Sequence, residues 1–347
     1  MLDDFLKIPL LGFCLLNLSG CDWISRQVSP PTQFTAKNLA VIVNEADPLS
    51  VQIGEYYQRK RRIAARNIIK ISFPPQQTAL TPETFKELKA TVDAQTPSMV
   101  EGYALTWAAP YRVGCMSITS AFAFGFNPAF CANGCNPTAV NPFFNQETIH
   151  PYKHLKIRPT IMLAATNFEQ AKQLIDRGVA ADETFPTGTA YLLNTTDKAR
   201  NVRSQFYRFI TNSMPFQFDI KEIKGDVLEN KTDVMFYFTG LAQVEKLNTL
   251  RFRPGAIADH LTSLGGQLTD SSQMSSLRWL EAGATGSYGA VVEPCNFPQK
   301  FPYPAIVIQS YLNGSTLLES YWKSVAWPGQ GVFIGEPLAR PFGHIHR

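Results

Sequence analysis

Six cysteines and five histidines set most of the chemistry open to this chain. Cys115, Cys131, Cys135 and Cys295 form an even interior set, the pattern of disulfides, and four sulfurs allow three pairings. Zinc is the competing reading. Cys131-x3-Cys135 is followed, after fourteen residues, by His150-x3-His154, within the spacing of a two-Cys, two-His site. Pro151 lies between the histidines and keeps them off a regular helix interior. The expectation is therefore disulfides first, zinc second and free buried thiols third, with no cofactor.

Acid–base and nucleophilic candidates are fewer. Cys295, His260 and Glu293 are the candidates for catalysis, and none is assigned a role. Glu293 follows a small-residue strand, and Glu45 and Asp47 follow the first apolar strand. Both places are where open parallel sheets put ligands, so a pair of carboxylates could do acid–base work or hold a cation. Gly286-Ser287-Tyr288-Gly289 is one residue short of a nucleophile elbow, and Ser287 with Asp259 and His260 is a remote triad. Gly283, Gly286 and Gly289 precede a strand instead of following one, so they do not form a dinucleotide fingerprint. Close backbone packing explains them better. Arg59-Lys60-Arg61-Arg62 falls on a helix, where four consecutive residues spread over all faces, and is read as solvated charge.

The elements that must position these groups alternate. Asn38–Asn44 reads as a buried strand, and Asp47-Pro48 as the cap and first residue of a helix. A strand over 68–73, a helix over 82–94 and a strand over 99–107 follow. Residues 110–159 break into proline, asparagine, aromatics and cysteine and read as an insertion. Alternation resumes with strand 160–164, helix 168–177 ended by Gly178, strand 190–193, helix 198–210 and strand 234–238. Next come a short strand near 250–252, helix 274–282, strand 285–292, helix 316–325 and strand 331–334. The spacing predicts an α/β fold with a mostly parallel multi-stranded sheet and helices on both faces, caspase-like or doubly wound, and no internal repeat.

The first twenty residues read as a signal peptide. Ile8–Leu18 is an apolar segment too short to span a bilayer comfortably. Leu18-Ser19-Gly20-Cys21 resembles the lipobox of bacterial lipoproteins, which implies cleavage before Cys21 and a lipid on its thiol. Residues 21–33 then form a tether, 34–109 a first α/β part, 110–159 the insertion and 160–347 a second α/β part. The strings beginning at Val41 (VIVNEADPLSVQIGEYYQRKR), Tyr111 (YRVGCMSITSAFAFGF), Trp279 (WLEAGATGSYGAVVEPCNFPQKFPYP) and Ser320 (SYWKSVAWPGQGVFIGEPLARPF) resemble an uncharacterised family of exported bacterial proteins. That family occurs in species carrying exosortase, a sorting system associated with exopolysaccharide. The C-terminal half is also similar in element order to gingipain-type, caspase-like cysteine peptidases. Their chemistry needs a histidine-glycine after one buried strand and a cysteine after the next. Here Thr239-Gly240 follows the first, and no cysteine follows 250–252.

With 32 Lys and Arg against 28 Asp and Glu and 45% hydrophobic residues, composition excludes a disordered chain and disfavours a nucleic-acid partner. These readings converge on an exported envelope protein, on the periplasmic side and lipid-anchored. A non-catalytic binding or assembly role is expected, with envelope sorting or polysaccharide-export proteins as partners. The alternative is a peptidase-like hydrolase using Cys295 or a carboxylate pair.

Overall fold

A computed structural model describes residues 34–75, 77–213 and 218–343. The expected signal peptide, Cys21 and the expected tether lie outside the described residues. Phe34–Arg347 forms one compact unit.

The first strand, β1 (Leu39–Asn44), is buried at all six positions, as its unbroken apolar run requires. Asp47 caps α1 (Pro48–Arg61), its side chain accepting from the Leu49 amide, with proline at the first helical position. Then come β2 (Ile68–Ile71), β3 (Ala79–Leu80), α2 (Pro82–Gln95) and β4 (Gly102–Leu105). The insertion folds more fully than its composition suggests. β5 (Arg112–Val113) and β6 (Met116–Ser117) pair with β3 in a small sheet. α3 (Ile118–Phe124) lies buried next to them, and α4 (Pro151–Leu155) closes the segment. The second part contains β7 (Thr160–Met162), α5 (Phe168–Ala181), β8 (Thr189–Asn194), a 3-10 turn over Asn201–Phe206, α6 (Tyr207–Ser213), β9 (Asp219–Lys224) and β10 (Val234–Thr239). It ends with β11 (Phe252–His260), α7 (Leu277–Ala282), β12 (Gly286–Ala290), α8 (Pro304–Leu312), α9 (Leu317–Ser324) and β13 (Gly331–Gly335).

Ten of these strands make one sheet in the order β2-β1-β4-β7-β13-β12-β11-β10-β8-β9. Every neighbouring pair is parallel except β12 with β13. The sheet is thus two five-stranded parallel halves that run in opposite directions and meet at one antiparallel seam. Each half has the same order, counted from its own first strand: second, first, third, fourth, fifth. This is the doubly wound arrangement, twice. The expectation of no repeat is therefore corrected at the level of topology. Its sequence trace is short: β1 and β8 both run into Asn-x-x-Asp (Asn44–Asp47, Asn194–Asp197), and β12 and β13 both lead to Glu-Pro (Glu293-Pro294, Glu336-Pro337).

Helices cover both faces. Tyr237 meets Trp279 of α7 on one face of β10, while its neighbour Phe236 meets Tyr311 of α8 on the other. Gly178 does not end α5, which continues to Ala181. A Cβ at Gly178 would lie 2.5 Å from Glu336 Cγ, so glycine is there to let the Glu336 side chain pass. That carboxylate receives the Tyr57 hydroxyl at 2.7 Å and the Arg61 guanidinium, which also pairs with Asp182. The Arg61 side chain is therefore nearly covered, the exception in a basic run whose other three residues are exposed, and Lys60 pairs with Asp176 at 2.8 Å on the surface.

Candidate functional site

Because the halves oppose each other, the molecule has two carboxyl edges at opposite ends of its strands. Glu45 and Asp47 lie at one, Glu293 at the other. The expected carboxylate pair cannot assemble between them. Glu45 forms an ion pair with Lys70 at 3.0 Å, and Asp47 is a helix cap.

The crevice of the first half, between β1 and β4, is closed by its own polar groups. Asn44 Nδ2 donates to Phe73 O at 2.9 Å, and Oδ1 accepts from the Ala46 and Phe73 amides. Ser50 Oγ accepts from the Asn44 amide and meets Thr106 Oγ1 at 2.6 Å, and Thr106 donates onward to Ile42 O.

The second half differs. β11 runs through Arg253-Pro254-Gly255 and ends eight residues later than expected, so Asp259 and His260 stand at its carboxyl end on opposite faces. On one face Arg203, from the turn after β8, places Nη1 2.6 Å from Asp259 Oδ1. Its guanidinium also donates to Thr239 O at 2.7 Å and Pro302 O at 3.3 Å and lies over the Phe238 ring. Both side chains are almost wholly buried. Burial pushes the Asp259 carboxyl up to about 6, with Arg203 as the opposing influence. Arg203 Nε and, on the same face, Tyr321 OH have no hydrogen-bond partner among the described residues; Thr239 Oγ1 also lacks one but lies on the His260 face. Unpartnered buried polar atoms are costly, so Arg203 Nε and Tyr321 OH beside one ion pair mark the place as unlike ordinary core.

His260 faces the other way. Its Nδ1 accepts from Trp279 Nε1 at 2.9 Å, which leaves Nε2 as the protonated nitrogen, donating to Met274 O at 3.0 Å. Burial holds its pKa down at about 3, so the ring is neutral and both nitrogens are occupied. Ser287 is buried within β12 and its Oγ has no partner among the described residues; the structure does not bring it into a triad with His260. Glu293 is exposed and accepts from the Cys295 amide at 2.6 Å.

All four interior cysteines pair: Cys115 with Cys131, and Cys135 with Cys295. The Cys131, Cys135, His150 and His154 set is therefore not assembled. The two sulfurs lie in different disulfides, His150 sits 3.4 Å from Glu101, and His154 Nδ1 meets Thr148 Oγ1 at 2.8 Å. No group of three or more metal-ligating side chains occurs among the described residues. Cys295 carries no free thiol to pair with His260. The Cys135–Cys295 bond instead straps the insertion to the loop leaving β12. Buried Lys300 donates from Nζ to Asn136 O at 2.9 Å beneath it, and burial lowers its pKa to about 8. Cys295 and Asn296 both take left-handed backbone (φ +58° and +54°), a conformation that non-glycine residues adopt only under constraint.

Sequence reasoning reached Asp259, His260, Glu293 and Cys295 but missed Arg203 and Tyr321, because ending β11 too early hid what faces Asp259. No family model, curated protein or solved structure matches the chain.

Proposed function

We propose that this is an exported, lipid-anchored envelope protein that acts by binding, in assembly linked to exosortase and exopolysaccharide, and not by catalysis. The observation that carries the reading is the disposal of the reactive groups. Cys295 is held in a disulfide with Cys135, and His260 is neutral with both nitrogens engaged. A nucleophilic cysteine needs a thiolate and a base or positive charge beside it. Two long-range cross-links also suit an oxidising compartment, which agrees with the leader and lipobox of the sequence.

The test is a crosslinked pull-down from solubilised envelope, run beside an active-site-directed thiol probe on the native protein before and after reduction. Recovery of sorting or polysaccharide-export components, with no labelling before reduction and slow labelling after it, is the expected result. Rapid labelling at neutral pH that disappears in Cys295→Ala would replace this reading with the peptidase-like one. Anchoring is tested separately: Cys21→Ser moves the protein from membranes to the soluble exported fraction.

A further inference from the structure

The compact unit begins at Phe34, whose ring packs over Gly102 at the amino end of β4. Around that entry point the amino ends of β1, β2 and β4 gather exposed cations. Asn67, just before β2, donates to Lys37 O at 3.2 Å, and Asn38 donates to Met99 O at 3.3 Å. Arg66 reaches the Met99 sulfur at 3.7 Å, and Met99 is itself 44% exposed. The Glu101 amide donates to Asn38 O, and the Glu101 carboxylate turns inward to receive the Tyr152 and Lys153 amides of α4. Lys153 and Lys156 stand exposed beside it. None of Lys37, Arg66, Lys153 and Lys156 has an ion-pair partner among the described residues; Glu101 is buried, and the exposed Asp93 is paired with Lys89 and Arg158.

We infer that this end of the molecule is a docking face for anionic lipid headgroups. Unpaired cations beside an exposed methionine suit a surface that is negative outside and apolar beneath. The place where the chain enters the fold points the same way. Cys21 precedes Phe34 by thirteen residues, which at full extension reach about 45 Å. A lipid on Cys21 thus keeps this face, of all faces, within reach of the bilayer. The inference rests on the lipid-anchor reading for that proximity alone; the charge pattern stands without it.

The chain from Cys21 onward, produced without its leader and therefore without lipid, keeps every core residue found among the described residues. It is sedimented with vesicles of phosphatidylcholine alone and with vesicles rich in phosphatidylglycerol. Binding is expected to the second only and to disappear at high salt. Each cation contributes roughly fivefold, so K37Q/R66Q/K153Q/K156Q weakens partitioning about several-hundredfold. K221Q/K224Q, on the outermost strand of the other half, leaves it unchanged. Circular dichroism checks that both variants fold. Equal binding by wild type and the quadruple variant, binding to neutral vesicles, or no binding to anionic vesicles each overturns the proposal. The mass of the N-terminal peptide from membranes reports on the anchor independently, so an unlipidated Cys21 with intact vesicle binding rejects the anchor and keeps the face.

Discussion

Separating Arg203 from Asp259 tests the argument about the second crevice, because the two partners have different escapes. An aspartate left alone in the interior can take up a proton; an arginine cannot lose one at any working pH. Breaking a buried ion pair from either side costs about 3–5 kcal/mol. In Arg203→Met the carboxyl of Asp259, already pushed up to about 6 by burial, loses its only opposing charge and is neutral at pH 7 in the folded state. The folded protein then binds one proton more than the unfolded chain, so stability rises by about 1.4 kcal/mol per unit of acidification. Between pH 7 and 5 that recovers about 3 kcal/mol. In Asp259→Leu the guanidinium keeps only Thr239 O and Pro302 O, and no such recovery occurs. The double variant R203M/D259L removes both charges and is expected within about 1 kcal/mol of wild type, or above it. Urea unfolding of the oxidised wild type and three variants at the two pH values, followed by circular dichroism, supplies all eight numbers. A loss below about 1 kcal/mol in Asp259→Leu, or equal pH responses in the two single variants, would refute the account of the pair as a desolvated charge cluster. A stable double variant carries a further meaning: the pair is then not kept for stability.

Two other outcomes follow from geometry. Gly178→Ala, a change that stabilises an ordinary helix by about 1 kcal/mol, is expected to cost about 1–3 kcal/mol here because the new methyl meets Glu336, itself fixed by Tyr57 and Arg61; thermal unfolding reads the sign. His260, with its pKa lowered to about 3 by burial, binds fewer protons folded than unfolded, so its contribution is complete above about pH 6.5 and is lost as pH falls toward 3, by up to about 5 kcal/mol. Comparing the pH dependence of unfolding in wild type and His260→Gln isolates that slope, and an unchanged slope contradicts the assignment.

How much the sequence disclosed depended on whether a signal was local. The unbroken run of β1 and the Asp47-Pro48 cap contain their own physics and were legible to within a residue. The span of α5 was not, because the reason for Gly178 lies in Glu336, far along the chain. β11 read as a stub because Pro254 and Gly255 look like a turn, yet the strand continues through them: Gly255 takes φ +85° and Thr285 supplies its amide with an acceptor. β9 and α8 went unread. β9 is an edge strand of alternating charge, and α8 is too evenly apolar to show a helical stripe. The disulfide partners could only be narrowed to three pairings, since connectivity is fixed by where the insertion crosses the sheet.

The two crevices then pose a comparison that topology alone would miss. They are equivalent by strand order, and each begins with an asparagine and includes a threonine at the end of the third strand's run. In the first half Asn44 and Thr106 are satisfied by Phe73, Ser50 and Ile42, which leaves nothing for a ligand to complete. In the second, Asn194 and Thr195 are likewise engaged, with Glu222, Asn201 and Gly240. At the end of β10 itself Thr239 Oγ1 remains without a partner among the described residues, and one strand further in so do Arg203 Nε beside Asp259 and Tyr321 OH on the same face. The first crevice is thus closed by its own polar groups, while the second retains an ion pair with unmet polar atoms beside it. The Cys135–Cys295 strap crosses the loop that leads from β12 to Lys300 and Pro302, and Pro302 O is one of the acceptors holding Arg203. The cross-link and the ion pair are therefore joined through eight residues of chain. Reducing Cys135–Cys295 therefore loosens the loop that carries an acceptor of Arg203, and a lower urea midpoint of the reduced protein is the expected result.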